Sequence, residues 1–249
     1  MRRLFLIVVT ALCTSSVAFA GGQAAISTPR ASARVGLTPA KHDASSKGTT
    51  RQCAGGKCHR VSVFQGHNAV KMSLRTEPLE KPSGNISLRA ENLGEETTVN
   101  IYKKDGTFDD AALAKLDDLF RCVKTGEVRA VRAELYEQLS RIYDHFEGKQ
   151  IYLVSGFRFA ERNSSRHYHA SAMDIRIPGV SINEMYKFAE SLDAGGMGIG
   201  IYPTSGFIHV DFRAPGEPSY RWVDYSGHGG GGKAKKPGNR TQPARKPTS

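Results

Sequence analysis

Two short stretches of the chain concentrate side chains able to bind a metal and move protons. Ser165-Arg166-His167-Tyr168-His169-Ala170-Ser171-Ala172-Met173-Asp174 offers an imidazole at His167 and, seven positions on, a carboxylate at Asp174. Gly206-Phe207-Ile208-His209-Val210-Asp211 offers an imidazole and a carboxylate two positions apart in an apolar run. In a β-strand that spacing puts His209 and Asp211 on the same face. Two histidines and one aspartate from separate elements suffice for a catalytic zinc, which takes three protein ligands and keeps a fourth position open for water. A single histidine on an apolar strand is more often a packed core residue. The expectation of Zn2+ therefore rests on His167, Asp174 and His209 as a set.

Further groups fall beside this set. Asp211 is the first candidate for the base that moves a proton, because a strand would hold it next to His209; His169, two positions from His167, is the second. Arg158 follows a short apolar run, Ile151 to Val154, in a tight Ser155-Gly156 turn. It is suited to grip a substrate carboxylate with two hydrogen bonds or to support a developing oxyanion, and the rival reading makes it an ion-pair partner of Glu161 or Asp174. Tyr202 and Trp222 read as packing residues.

The elements that must position these groups are legible from periodicity. Alternating runs at 61–64, 70–74, 85–90 and 97–102 predict a small antiparallel β unit over 61–104, with a hairpin connection at 92–96. From Asp105 the spacing turns helical. Asp109 or Asp110 caps a helix carrying Leu113, Leu116, Leu119 and Phe120 and stopping near Gly126; a second helix spans about 131–146 with Leu135, Leu139, Ile142, Tyr143 and Phe146 on one face. A third starts at Ser181, with Glu184 completing a capping box, and ends at Gly195-Gly196. Strands are predicted at 151–154, 172–177, 197–202, 207–212 and 221–223.

The ends differ in character from the middle. Met1 to Ala20 reads as a secretory signal: Arg2 and Arg3, an apolar run, then Ala18-Phe19-Ala20 as a cleavage site, the run being too short to span a membrane. Residues 21–60, a flexible linker by composition, carry seven Lys or Arg against one Asp, and 233–249 carry six against none. The formal charge of +11 thus belongs to the arms, and 61–232 is near −3. Such arms read as solvated chain, or as a salt-sensitive contact with anionic envelope polymers; without interleaved aromatics they make no dedicated nucleic-acid surface. A Gly-rich stretch begins the tail at 227–249. Cys53 and Cys58 flank two glycines and suit a small disulfide loop better than a metal site, and Cys122 reads as a buried thiol on a helix.

Ser165, His167, Ala172 and Asp174 follow the S-x-H-x(4)-A-x-D pattern of the zinc D-Ala-D-Ala carboxypeptidase family, and Gly206 to Asp211 resembles that family's second ligand motif. With Ser155 to Arg158 and Gly195 to Ser205, the chain is most similar to the murein endopeptidase branch. The resemblance covers about 105–227. It implies the α+β fold shared with hedgehog signalling domains, an antiparallel sheet with a few helices, over a domain at 105–226. It also implies zinc on His167, Asp174 and His209, and a periplasmic or extracellular enzyme hydrolysing amide bonds in peptidoglycan stem peptides, as endopeptidase or carboxypeptidase. The alternative is a catalytically silent, zinc-stabilised module that docks on the envelope. Two departures stand out: relatives usually have glycine where this chain has Ala170, and many carry a carboxylate where it has Gly206.

Overall fold

The computed structural model describes residues 48–227, apart from 55 and 162. The signal reading, most of the 21–60 linker and nearly all of the tail lie outside the described residues.

Ten strands and three helices follow one another as β1 (Thr49–Ala54), β2 (Lys57–Ser62), β3 (Phe64–Asn68), β4 (Asn85–Ala90), β5 (Glu95–Asn100), α1 (Asp110–Leu119), α2 (Ala133–His145), β6 (Ile151–Ser155), β7 (Ala172–Arg176), α3 (Ile182–Ser191), β8 (Met197–Tyr202), β9 (Phe207–Phe212) and β10 (Tyr220–Asp224). Eight strands form one sheet in the order β3-β10-β8-β9-β7-β6-β4-β5, and β1 and β2 form a separate two-stranded sheet. Within the large sheet β10–β8 and β4–β6 pair parallel and the other neighbours antiparallel. The architecture is α+β, as the resemblance implied.

The helices form where their caps and apolar spacing dictate. The Asp109 carboxylate accepts the N–H groups of Ala111 and Ala112, and Leu113, Leu116 and Leu119 are buried along one face of α1. Leu135, Tyr136, Leu139 and Ile142 do the same for α2, and Met185 and Ala189 for α3, whose cap Ser181 accepts from the Asn183 N–H. They share one core with Met173 and Ile175 of β7, Ile199 and Ile201 of β8, and Ile208 and Val210 of β9. Because side chains alternate across a strand, Asp174, His209 and Asp211 emerge on the face turned away from that apolar layer. The fold thus dedicates one face of β7 and β9 to packing and the other to polar chemistry.

Four details differ from the sequence reading. The 61–104 segment is not a separate unit: it supplies β3 to one edge of the large sheet, and β4 and β5 to the other. Alternation identifies strands but carries no information about which sheet they join. Residues 70–74 alternate too, yet 71–73 form a single 3-10 turn with no buried residue, and Met72 is 96% exposed. Helix α1 ends seven residues before Gly126, at Leu119, so the buried Cys122 lies in the following loop rather than on a helix. Part of the linker is also structured, as the β1–β2 hairpin closed by a Cys53–Cys58 disulfide.

That hairpin is exposed along β2, and an isolated two-stranded hairpin is marginal in water without a staple. Reduction of Cys53–Cys58 should therefore open trypsin cleavage at Arg51, Lys57 and Arg60. The main thermal transition should move by no more than about 2 °C, since the large sheet does not include β1 or β2. Limited proteolysis beside calorimetry checks both, and a large drop in the main transition would show the hairpin to be part of the cooperative fold.

Candidate metal centre and active site

Strand register creates the site. Asp174 on β7 and His209 on β9 are direct partners across the ladder, which brings a carboxylate and an imidazole together without any loop. The pairing of β6 with β7 shifts between Leu153 and Ser155, an irregularity that re-aims the chain as it leaves the sheet. The loop that follows returns through His167. It is fastened by backbone hydrogen bonds from Arg158 and Ala170 to the His167 carbonyl, each 3.2 Å, and from Ser171 to the Arg166 carbonyl at 3.1 Å. Ala170 has φ 48°, in the left-handed region that favours glycine.

The ligand atoms of His167, Asp174 and His209 all lie within 4.8 Å of one another, and all three residues are buried. His167 Nδ1 donates to the Gly156 carbonyl at 2.6 Å, which leaves Nε2 turned to Asp174 Oδ2 at 3.4 Å and His209 Nδ1 at 3.2 Å. His209 Nε2 donates to Asp211 Oδ2 at 2.9 Å, which leaves Nδ1 turned to Asp174 Oδ1 at 2.8 Å. Each imidazole thus spends its far nitrogen on a protein oxygen and aims its near nitrogen inward. That is the usual second layer of a metal-binding histidine. Two inward imidazole nitrogens and one carboxylate fit zinc, and no other described residues form a His/Cys/Asp/Glu group of this kind.

The charges sustain one another. Burial alone would push the Asp174 carboxyl up, but the two imidazoles hold it well below the ordinary carboxylate value. Burial lowers His167, and the nearby Arg158 charge adds to that. For His209 burial also acts downward, yet hydrogen bonds to Asp174 and Asp211 carry its pKa above the ordinary histidine value. Asp211, which burial would raise, is held low by Arg213 and His209.

The other anticipated residues fall into different places. Asp211 sits on the far ring nitrogen of His209 and is paired with Arg213, whose Nε is 3.2 Å from Oδ1. A carboxylate there orients the imidazole, and the His209 ring stands between it and Asp174. His169 is engaged with its own loop, Nε2 donating to the Asn163 carbonyl. Arg158 is 40% exposed, with Nη2 3.6 Å from Asp174 Oδ2 and Nη1 3.5 Å from Glu161 Oε1. With Asp174, Glu161, Tyr202 and Phe207 it lines a cavity of about 440 Å³.

Several contributors escaped the sequence reading. Gly200 faces His209 across β8–β9 and Gly198 faces Asp211. A Cβ at Gly200 would collide with the Trp222 indole, and one at Gly198 with the Asp211 carboxylate and the Arg213 guanidinium. The indole so admitted rests against the His209 ring, centroids 5.0 Å apart. The visible signal was Gly198-Ile199-Gly200, glycines at period two inside a strand, which mark close approach by another group.

Two expectations follow. Asp211→Asn should keep one zinc per chain at saturating metal while weakening affinity about 10–100-fold, as loss of an outer partner does; His167→Ala, Asp174→Ala and His209→Ala should each abolish stoichiometric binding by metal analysis. Below the raised pKa of His209, Nδ1 carries a proton that zinc must displace. Affinity should therefore rise about tenfold per pH unit up to that pKa and then level off. His167, shifted downward, adds slope only in more acidic solution. Calorimetry in buffers of different ionisation enthalpy reads the released proton, and a pH-independent affinity would contradict the assignment of His209 as a ligand.

Comparison with known proteins identifies a family. Residues 81–215 match the family described as peptidoglycan L,D-endopeptidase MepK. Over 140 residues, 51% of this chain and 74% of the relative, the sequence is 33% identical to the probable peptidoglycan L,D-endopeptidase MepK of Haemophilus influenzae. It is 29% identical to the peptidoglycan L,D-endopeptidase MepK of Escherichia coli K12 over 139 residues, 51% of this chain and 75% of that protein. No solved structure matches. The matched span begins at residue 81 and so takes in β4 and β5, which the resemblance from motifs alone had left outside. The chain belongs to the peptidoglycan L,D-endopeptidase MepK family.

Proposed function

We propose that this chain is an exported, zinc-dependent peptidase that hydrolyses an L,D amide bond in peptidoglycan stem peptides. The observation that carries the reading is the convergence of His167, Asp174 and His209 at one point, with Asp174 forming part of the wall of a cavity that Arg158 also lines. Family membership supports the peptidase activity and the peptidoglycan substrate. The relatives, described as L,D-endopeptidases, favour endopeptidase over carboxypeptidase action. Export is supported by the signal-like residues 1–20, and no described helix is long and apolar enough to cross a membrane. The basic arms, by charge alone, suit contact with anionic envelope polymers.

His167, Asp174 and His209 would hold the zinc, with the Gly156 carbonyl and Asp211 fixing the ring orientations. Zinc supplies an electrophile for the scissile carbonyl and makes water acidic enough to attack near neutral pH. Arg158, half-exposed, would exchange its Glu161 contact for a stem-peptide carboxylate held by its guanidinium. Such an anchor sets the amide in register with the ligands, and orientation of that kind is worth several kcal/mol of barrier.

Murein sacculi incubated with the zinc-loaded protein should lose cross-linked muropeptides, and mass analysis of the products should show cleavage between an L- and a D-configured residue. Arg158→Ala should raise KM, with zinc retained, and His167→Ala should end release altogether. Release of a single C-terminal residue would make it a carboxypeptidase. An unchanged profile with zinc bound would favour the silent docking module.

A further inference from the structure

Tyr202 ends β8 and was read from sequence as a packing residue; its surroundings give it a second task. Its ring stacks on Phe207, the partner across the β8–β9 ladder, with centroids 4.3 Å apart and planes 15° from parallel. Its hydroxyl oxygen accepts the Trp222 Nε1–H at 3.0 Å. An indole N–H only donates, so this bond fixes the phenol oxygen while leaving the phenol's own hydrogen unused. Among the described residues no hydrogen bond from that hydroxyl is found.

The hydroxyl is also in the right neighbourhood. Tyr202 lines the same cavity as Asp174 and Arg158. Trp222, which anchors it, is pressed into the space left by Gly200 and lies against the His209 ring. One rigid run of contacts therefore ties the phenol to a metal ligand. A donor whose oxygen is already fixed loses little entropy when a carbonyl arrives.

We propose that the Tyr202 hydroxyl is a catalytic hydrogen-bond donor to the carbonyl oxygen of the scissile amide, tightening as negative charge builds on that oxygen. The assignment rests on the peptidase reading above. Burial holds the phenol above its ordinary pKa, in keeping with a donor role. Trp222 is its positioning residue. Arg158 then keeps the substrate carboxylate as its separate task.

The test compares zinc-loaded wild type with Tyr202→Phe, which keeps the stack on Phe207. On a defined cross-linked muropeptide, kcat should fall about 10²–10³-fold with KM within about twofold, the effect of losing one oxyanion donor. Zinc stoichiometry should be unchanged, and the melting temperature should fall by no more than a few degrees, because the Trp222 N–H loses its acceptor. Affinity for a phosphinate stem-peptide mimic of the tetrahedral state should fall by a similar factor, and affinity for the cleavage product should not. Trp222→Phe, which removes the anchoring donor together with part of the ring that packs on His209, should lower kcat by about tenfold at unchanged KM, with zinc stoichiometry measured beside it. Wild-type kcat in Tyr202→Phe, or a change confined to KM, would overturn the assignment while leaving the peptidase intact. A wild-type protein that releases nothing would sink the peptidase reading, and this assignment with it.

Discussion

The constraint on which the structure turns is the burial of two imidazoles and two carboxylates in a continuous row, Asp174, His209 and Asp211 with His167 at its side. An ionised group taken out of water without a partner costs several kcal/mol, so such a row survives only when each member compensates the next. Here the compensation is nearly complete: His209 lies between two carboxylates, Asp211 between His209 and Arg213, and Asp174 among His167, His209 and Arg158. A dication added to the inward side meets a carboxylate already ionised and nitrogens already aimed. The protein's part in metal binding is thus spent in advance, during folding.

That arrangement depends on a sheet whose two faces have been given opposite duties. Three helices cover one face with Leu, Ile and Met, and this apolar layer holds β7, β8 and β9 rigidly enough for cross-strand register to define distances. Only one ligand, His167, comes from a loop. That loop is compensated by backbone hydrogen bonds at both of its ends and by the cation of Arg129, whose Nη1 donates to the Tyr168 carbonyl. Rigid strands carry Asp174 and His209 and a braced loop carries His167, a division that favours a preorganised site.

How much of this could be read in the residues depends on whether the signal was local. Periodicity located α1, α2, α3 and the site strands, because burial on one face imprints 3.6- and 2-residue spacing directly. The convergence of His167, Asp174 and His209 could be anticipated because three chemically unusual positions fell in recognisable motifs. The features misplaced or left open were all relational. Which sheet β4 joined, on which side of His209 the Asp211 carboxylate stood, and whether 70–74 found a partner strand are decided by contacts between distant segments. Tyr202 and Trp222 belong with these: each alone is an unremarkable aromatic, and only their mutual hydrogen bond over Gly200 gives the pair a chemical direction.

Ala170 shows how a local rule yields to the site. Relatives were expected to carry glycine there, and the residue adopts the left-handed conformation that glycine would adopt, at φ 48°. The chain has not re-routed the loop to suit its alanine. It accepts a strain of about 1–2 kcal/mol in a fully buried position. The Ala170 N–H is held by the His167 carbonyl at 3.2 Å, and its own carbonyl receives the Arg132 N–H at 3.4 Å. Relaxing the alanine would sacrifice these two backbone hydrogen bonds, one of them to the His167 carbonyl, so the loop that carries His167 holds the residue in its strained conformation.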